Sequence, residues 1–310
     1  MKTTMFAAWL AVLPICVHAQ APAEPQPFQT PVLLIRADEP PLKVWAVAAT
    51  RSQIRYRETE VAVDTVDARI SEFQAIYQFE PAEFSAAMDL YQGRKYTEAK
   101  EKFIAVKEHF KSMNQMADNY STLAAFYELE CLRRLGDLEG LAAGLQKFIK
   151  DPISQETRLR QLELYVIWDA VRTKSWDRVN TMCSERQNTK LPSDQRAQVA
   201  YCHGLALEGL NRPQEALVAF QTAMTADAGT TEEVARQAAL QVLGIFKKDE
   251  AVQTAMKLWG SPDENKNSKG HSDLMEAAAV AKLFEMSLGA GQPLPDDYKK
   301  FLKFQAKPAN

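Results

Sequence analysis

From Ala86 to Phe110 the chain reads AAMDLYQGRKYTEAKEKFIAVKEHF: two amphipathic stretches with small residues where they would touch, a turn between them and an aromatic anchor in the second. Weaker copies follow downstream. A hairpin of two short amphipathic helices cannot bury its apolar face alone, so copies have to stack. The pattern predicts a mainly α chain of stacked hairpins whose inner surface is left free for a partner.

Counted from Glu80, Ala87 stands at position 8, Ala99 at 20, Phe103 at 24 and Val106 at 27; counted from Ala197, the same offsets hold Gly204, Ala216, Phe220 and Ala223. Looser copies start at Thr122 (Leu129, Leu141, Leu145, Phe148), Arg160 (Ile167, Val179, Cys183, Arg186) and Glu232 (Ala239, Ala251, Ala255, Leu258). Their turns read as Leu135-Gly136-Asp137 and Thr173-Lys174-Ser175-Trp176, the first with a glycine suited to positive φ. Thr230-Thr231-Glu232-Glu233 reads as a helix start with acids in its first turn. These offsets resemble the tetratricopeptide repeat family, in which small side chains sit where the two helices of a hairpin of about 34 residues meet. The resemblance is strong in two copies and loose in three, and every copy here is longer than the family's length. A helical-hairpin array of another repeat class is the competing reading.

The resemblance implies that the first helix of each copy lines a concave face. Carried over, its positions include Phe84, Met88 and Tyr91, then Phe126, Glu130, Arg133 and Arg134, then Leu164, Trp168 and Arg172, then Tyr201, Leu205 and Glu208. Phe84, Met88, Tyr91, Phe126, Arg133, Arg134, Trp168, Arg172 and Tyr201 are the candidate partner-binding residues. Aromatics interleaved with arginines suit a protein or extended peptide, the rings as anchors and the guanidinium groups for carboxylates. Alternatively the same aromatics pack repeat against repeat. The family's clamp for a C-terminal carboxylate is not matched, since position 5 holds Phe84, Phe126, Leu164 and Tyr201.

The rest of the chain divides around this array. Lys2, an uncharged apolar run from Met5 to Val17 and then Val17-His18-Ala19 have the layout of a secretory signal peptide over 1–19, cleaved after Ala19. An uncleaved anchor is the other reading; Ile15 before Cys16 fails a lipobox. Residues 20–31, with Pro22, Pro25, Pro27 and Pro31, read as an extended linker. Residues 32–79 read as a small antiparallel β segment. Its strands are Val32 to Ile35, Val44 to Ala48, Gln53 to Arg57 and Val61 to Thr65, with Ile70 to Tyr77 open between strand and helix. Such a segment is too small to stand alone and is expected to dock on the first helices. Helical repeats follow over 80–260, then a polar loop and capping helices over 261–310.

Composition narrows function. With 46% hydrophobic and 25% charged residues the chain is of ordinary globular kind. Losing Lys2 makes a formal charge of −3 one unit more acidic, which disfavours nucleic acid. No stretch after the signal is apolar enough to span a membrane. Cys131, Cys183 and Cys202 read as buried thiols, with a Cys183–Cys202 disulfide as the alternative. His109, His203 and His271 fall on different elements, and Cys202 and His203 point about 100° apart on a helix. Glu128 and Glu130, like Asp296 and Asp297, read as solvated faces or helix starts. No metal-ligand spacing, phosphate loop or nucleophile elbow is present, so neither metal nor cofactor is expected. The sequence points to a non-enzymatic interaction scaffold of a bacterial envelope, exported and periplasmic. A glycan-binding module is the alternative, and self-association stays open.

Overall fold

The computed structural model describes residues 30–187, 189–289 and 291–304. The signal peptide over 1–19, Cys16, and all of the linker but Thr30 and Pro31 lie outside the described residues. The described chain is mainly helical, with a small antiparallel sheet at its N-terminal side.

The sheet has five strands: β1 (Thr30–Ile35), β2 (Leu42–Ala49), β3 (Gln53–Arg57), β4 (Val66–Arg69) and β5 (Ala75–Gln78). Their spatial order is β4-β3-β2-β1-β5, all pairs antiparallel, so the chain meanders to one edge and returns by a short 3-10 turn at Ile70–Glu72 to add β5 at the other. This settles the open stretch: Ile70 lies in the turn, Ile76 and Tyr77 in β5. The strand expected at Val61 to Thr65 is corrected. The β3–β4 register pairs Tyr56 with Val66, which leaves those residues in the connecting loop, and Val61 and Val63 are 87% and 89% exposed. β-branched residues without a neighbouring strand have nothing to pack on.

Alternation along the strands puts Val32, Leu34, Val44, Ala46, Ile54 and Tyr56 on one buried face. That face shares a single apolar cluster with Phe84, Phe103, Phe110 and Met113 of the first helices, so the sheet does dock there. Ser112 Oγ donates to Val47 O at 2.9 Å beside a register shift in β2.

The helical part pairs α1 (Ala82–Gln92) with α2 (Tyr96–His109), α3 (Tyr120–Leu135) with α4 (Leu138–Lys147), α5 (Glu156–Arg172) with α6 (Trp176–Gln187), α7 (Ser193–Gly209) with α8 (Pro213–Ala226) and α9 (Glu232–Lys248) with α10 (Glu250–Leu258). First helices also pack in succession, α5 on α7 and α7 on α9. Four hairpins turn in one way: Arg94, Gly136, Lys174 and Asn211 all have positive φ, and each following N–H reaches a carbonyl five residues back. In the first, Lys95 N–H donates to Leu90 O at 2.9 Å; in the fourth, Arg212 N–H donates to Leu207 O at 2.8 Å. This left-handed cap satisfies carbonyls that the helix end would otherwise orphan. Glycine fills it only once; Asn211 takes this conformation more readily than most residues, whereas Arg94 and Lys174 adopt it against sequence propensity.

The small positions lie where the hairpin offsets require them. Ala87, Ala99, Ala216 and Ala223 are fully buried, and a Cβ on Gly204 would stand 2.5 Å from the Phe220 ring. The fifth copy is irregular: Ala251 is exposed and the buried residue of α10 is Val252. The polar stretch Gly260 to Ser272, which reads as a loop in sequence, is already helical from Lys269, because Ser268 accepts from the His271 N–H and starts α11 (Lys269–Leu283). A π-turn (Phe284–Leu288), α12 (Asp296–Lys299) and a 3-10 turn (Lys300–Lys303) complete the C-terminal cover, with Phe284 and Phe301 buried.

A candidate binding cleft beside a buried ion network

The last turn of α3 carries Glu130, Arg133 and Arg134 on one face, at helical spacings that bring them together. Opposite them stands Glu233, one hundred residues after Arg133, in the first turn of α9. Arg133 Nη2 donates to Glu130 Oε2 at 2.9 Å and Nη1 to Glu233 Oε1 at 2.9 Å. Arg134 Nη1 donates to Glu233 Oε2 at 3.0 Å and to the Thr230 carbonyl at 2.7 Å. Arg94, in the α1–α2 turn, pairs with Glu232 of α9. Two arginines face two glutamates, and the four charges cancel.

Tyrosines complete the network. Tyr165 of α5 donates to Glu130 Oε1 at 2.7 Å, and Tyr91 of α1 accepts from Arg134 Nε at 2.8 Å. Burial would raise the Glu130 pKa, but Arg133 and Arg134 beside it prevail and hold its carboxyl down to about 2. Burial, and then the Glu130 charge, push the Tyr165 hydroxyl well above its ordinary value, so it stays a donor. Burial also raises all three described thiols, Cys131 and Cys183 to about 12, and all three are free cysteines. Such thiols are poor nucleophiles.

The candidate residues do not form one open wall. Phe84 is buried against Phe103, Tyr120 and Tyr127, with Met88 half-buried in the same cluster. Phe126 is buried beside Tyr127 and Tyr165. Tyr91 and Arg134 belong to the network, and Arg133 is 3% exposed. Arg172 is paired with Asp169 and Glu139 at the end of α5. The expectation of a free inner surface is corrected for these residues: Phe84 and Phe126 are packed inside, and α9 meets α3 through ion pairs that engage Arg133 and Arg134. Glu130, read as part of a solvated face, is buried for the same reason; Glu128 pairs with Lys107 at 2.6 Å.

What stays open is a cleft of about 270 Å³ between the end of α3, α5, α7 and α9, bordered by Arg133, Arg134, Trp168 and Tyr201 from the candidate set. Trp168 and Tyr201 lie with ring centroids 5.8 Å apart, tilted by 35°. Leu135, Leu138, Val171, Leu205 and Val234 supply apolar wall. Trp168 Nε1 already donates to Gln198 Oε1 at 3.1 Å, so its indole face is what the cleft can use.

Sequence reasoning missed Glu233 as an ion-pair partner and Arg236 as a cleft residue. Thr230 to Glu233 reads equally as a helix start. Arg236 is at position 5 counted from Glu232, matching Phe84, Phe126, Leu164 and Tyr201, so continuing the count into the fifth copy was the signal available.

Among the described residues no group of three or more His, Cys, Asp or Glu stands together as a metal site, and no helix is long and apolar enough to cross a membrane. Comparison with models of protein families, with curated proteins and with solved structures finds no match.

Proposed function

We propose that this chain is a non-catalytic scaffold of the bacterial cell envelope that holds another protein, with its hairpins acting as a tetratricopeptide-like array and the α3–α5–α7–α9 cleft as the docking point. The observation that carries this reading is the cleft's make-up: aromatic and aliphatic wall next to Arg133, Arg134, Glu130 and Glu233, which already satisfy one another. Groups tied up in mutual ion pairs can orient and hold; they are poorly placed to move protons. Aromatic faces in a rigid, concave setting are the usual anchors of protein recognition. The repeated left-handed turns support the array, since four of the five hairpins share them. The apolar run before Ala19 supports export.

Leu135 is 43% exposed at the edge of this cleft, so a charge there should block docking without touching the core. Affinity purification of the mature chain from envelope extract is expected to recover a stoichiometric protein partner. Leu135→Asp should reduce that recovery about tenfold or more, with an unchanged thermal melt. Recovery of the same partner by both forms would place the docking point elsewhere.

A further inference from the structure

We infer that the cleft is built to take an acidic side chain of the partner, received by Arg236, beside a large apolar side chain laid on Trp168 and Tyr201. This rests on the reading of the cleft as a protein-docking point and deepens it. The sequence suggested Arg133, Arg134 and Arg172 for carboxylates, yet each already has carboxylate partners within the chain. Arg236 does not. It borders the cleft, no ion pair forms to it among the described residues, and its buried Nε has no hydrogen-bond partner. A guanidinium cannot shed its charge, so a part-buried Arg236 whose Nε is buried without an acceptor is left short of a partner, which the part of it bordering the cleft can take. With Arg133 and Arg134 cancelled by Glu130 and Glu233, Arg236 makes the local charge positive by one, which selects an anion over a neutral group.

The space sets the size. About 270 Å³ is below the range of a drug-sized pocket and suits one or two side chains of a larger partner. Trp168 Nε1 is engaged by Gln198 and both rings are under a tenth exposed, so they offer the guest only the ring surface that borders the cleft. The chemistry asked for is an Asp or Glu next to Phe, Tyr, Trp or Leu.

The test is selection of a fully randomised twelve-residue peptide library displayed on phage, against the full mature chain. The enriched sequences should pair an acid with an adjacent large apolar residue. As free peptides they should lose roughly tenfold or more in affinity when the acid is changed to its amide, and as much against Arg236→Ala. Arg236→Lys should recover part of that loss, and binding should weaken with added salt. Because Arg236 has no hydrogen-bond or ion-pair partner among the described residues, the thermal melt of Arg236→Ala should match the parent chain. Enriched peptides without an acid, or binding within twofold of the parent for Arg236→Ala, would overturn the assignment of Arg236 and leave protein docking standing. A neutral oligosaccharide that binds the parent chain and Arg236→Ala equally would overturn the assignment of Arg236 and favour a glycan over a protein in the cleft. No enrichment, together with no partner from envelope extract, would overturn both.

Discussion

Arg133→Met is expected to lower unfolding free energy by about 3–5 kcal/mol, measured by urea denaturation at neutral pH. Methionine fills much of the volume but removes the guanidinium that bridges Glu130 and Glu233, at a site 3% exposed. Desolvating charges is costly, and here the cost is offset only while the charges remain matched. Taking one cation leaves two carboxylates sharing Arg134. Replacing an exposed pair of the same type, such as Arg212 with Glu215, should cost far less, because water screens both charges.

The same network sets a pH signature. The folded-state pKa of Glu130, about 2, lies below its ordinary value of 4.5. Its contribution is therefore fully present above about 4.5 and is lost as pH falls from there towards 2. The parent chain should lose stability through that window more steeply than Arg133→Met, in which the carboxyl has lost the main group holding it ionised. Equal slopes would mean that Glu130 is not held by Arg133.

Phe103→Ala should cost about 3–5 kcal/mol and loosen the sheet as well as the first hairpin. The Phe103 ring is fully buried, stacked on Tyr127 with centroids 5.3 Å apart and tilted against Phe84 at 5.7 Å. It belongs to the cluster that holds Val32, Leu34, Val44 and Ile54 of the sheet. Amide hydrogen exchange should then show β1 and β2 losing protection together with α1 and α2. A loss confined to α1 and α2 would mean that the sheet stands by itself. A cost under about 1 kcal/mol would mean that the hairpin core is not where the offsets put it.

These cases mark what could be read from the chain alone. Ala87, Ala99 and Phe103 were legible because helix contacts within one hairpin follow from fixed local offsets. The turn at Gly136 was legible because glycine advertises positive φ, whereas Arg94 and Asn211 adopt the same turn without that signal. Val61 and Val63 misled because β-branched residues mark strands only where a partner strand exists, and pairing is non-local. The return of β5 to the far edge of the sheet was hidden for the same reason. The greatest loss was at the candidate site. Arg133 and Trp168, read as inner-face residues, do border the cleft, but such a position is open only if nothing else fills it. What fills it is Glu233, one hundred residues away, and no periodicity within either helix records that meeting.

The meeting of α3 with α9 is also the point on which the cleft depends, because Arg133, Arg134 and Glu233 border it. A double-mutant cycle between Arg134→Met and Glu233→Gln, read by urea unfolding, tests it directly. A coupling of about 1–3 kcal/mol is expected across this 3.0 Å pair. Effects that add to within about 0.5 kcal/mol would show the two helices to be apart in solution, and would contradict the account.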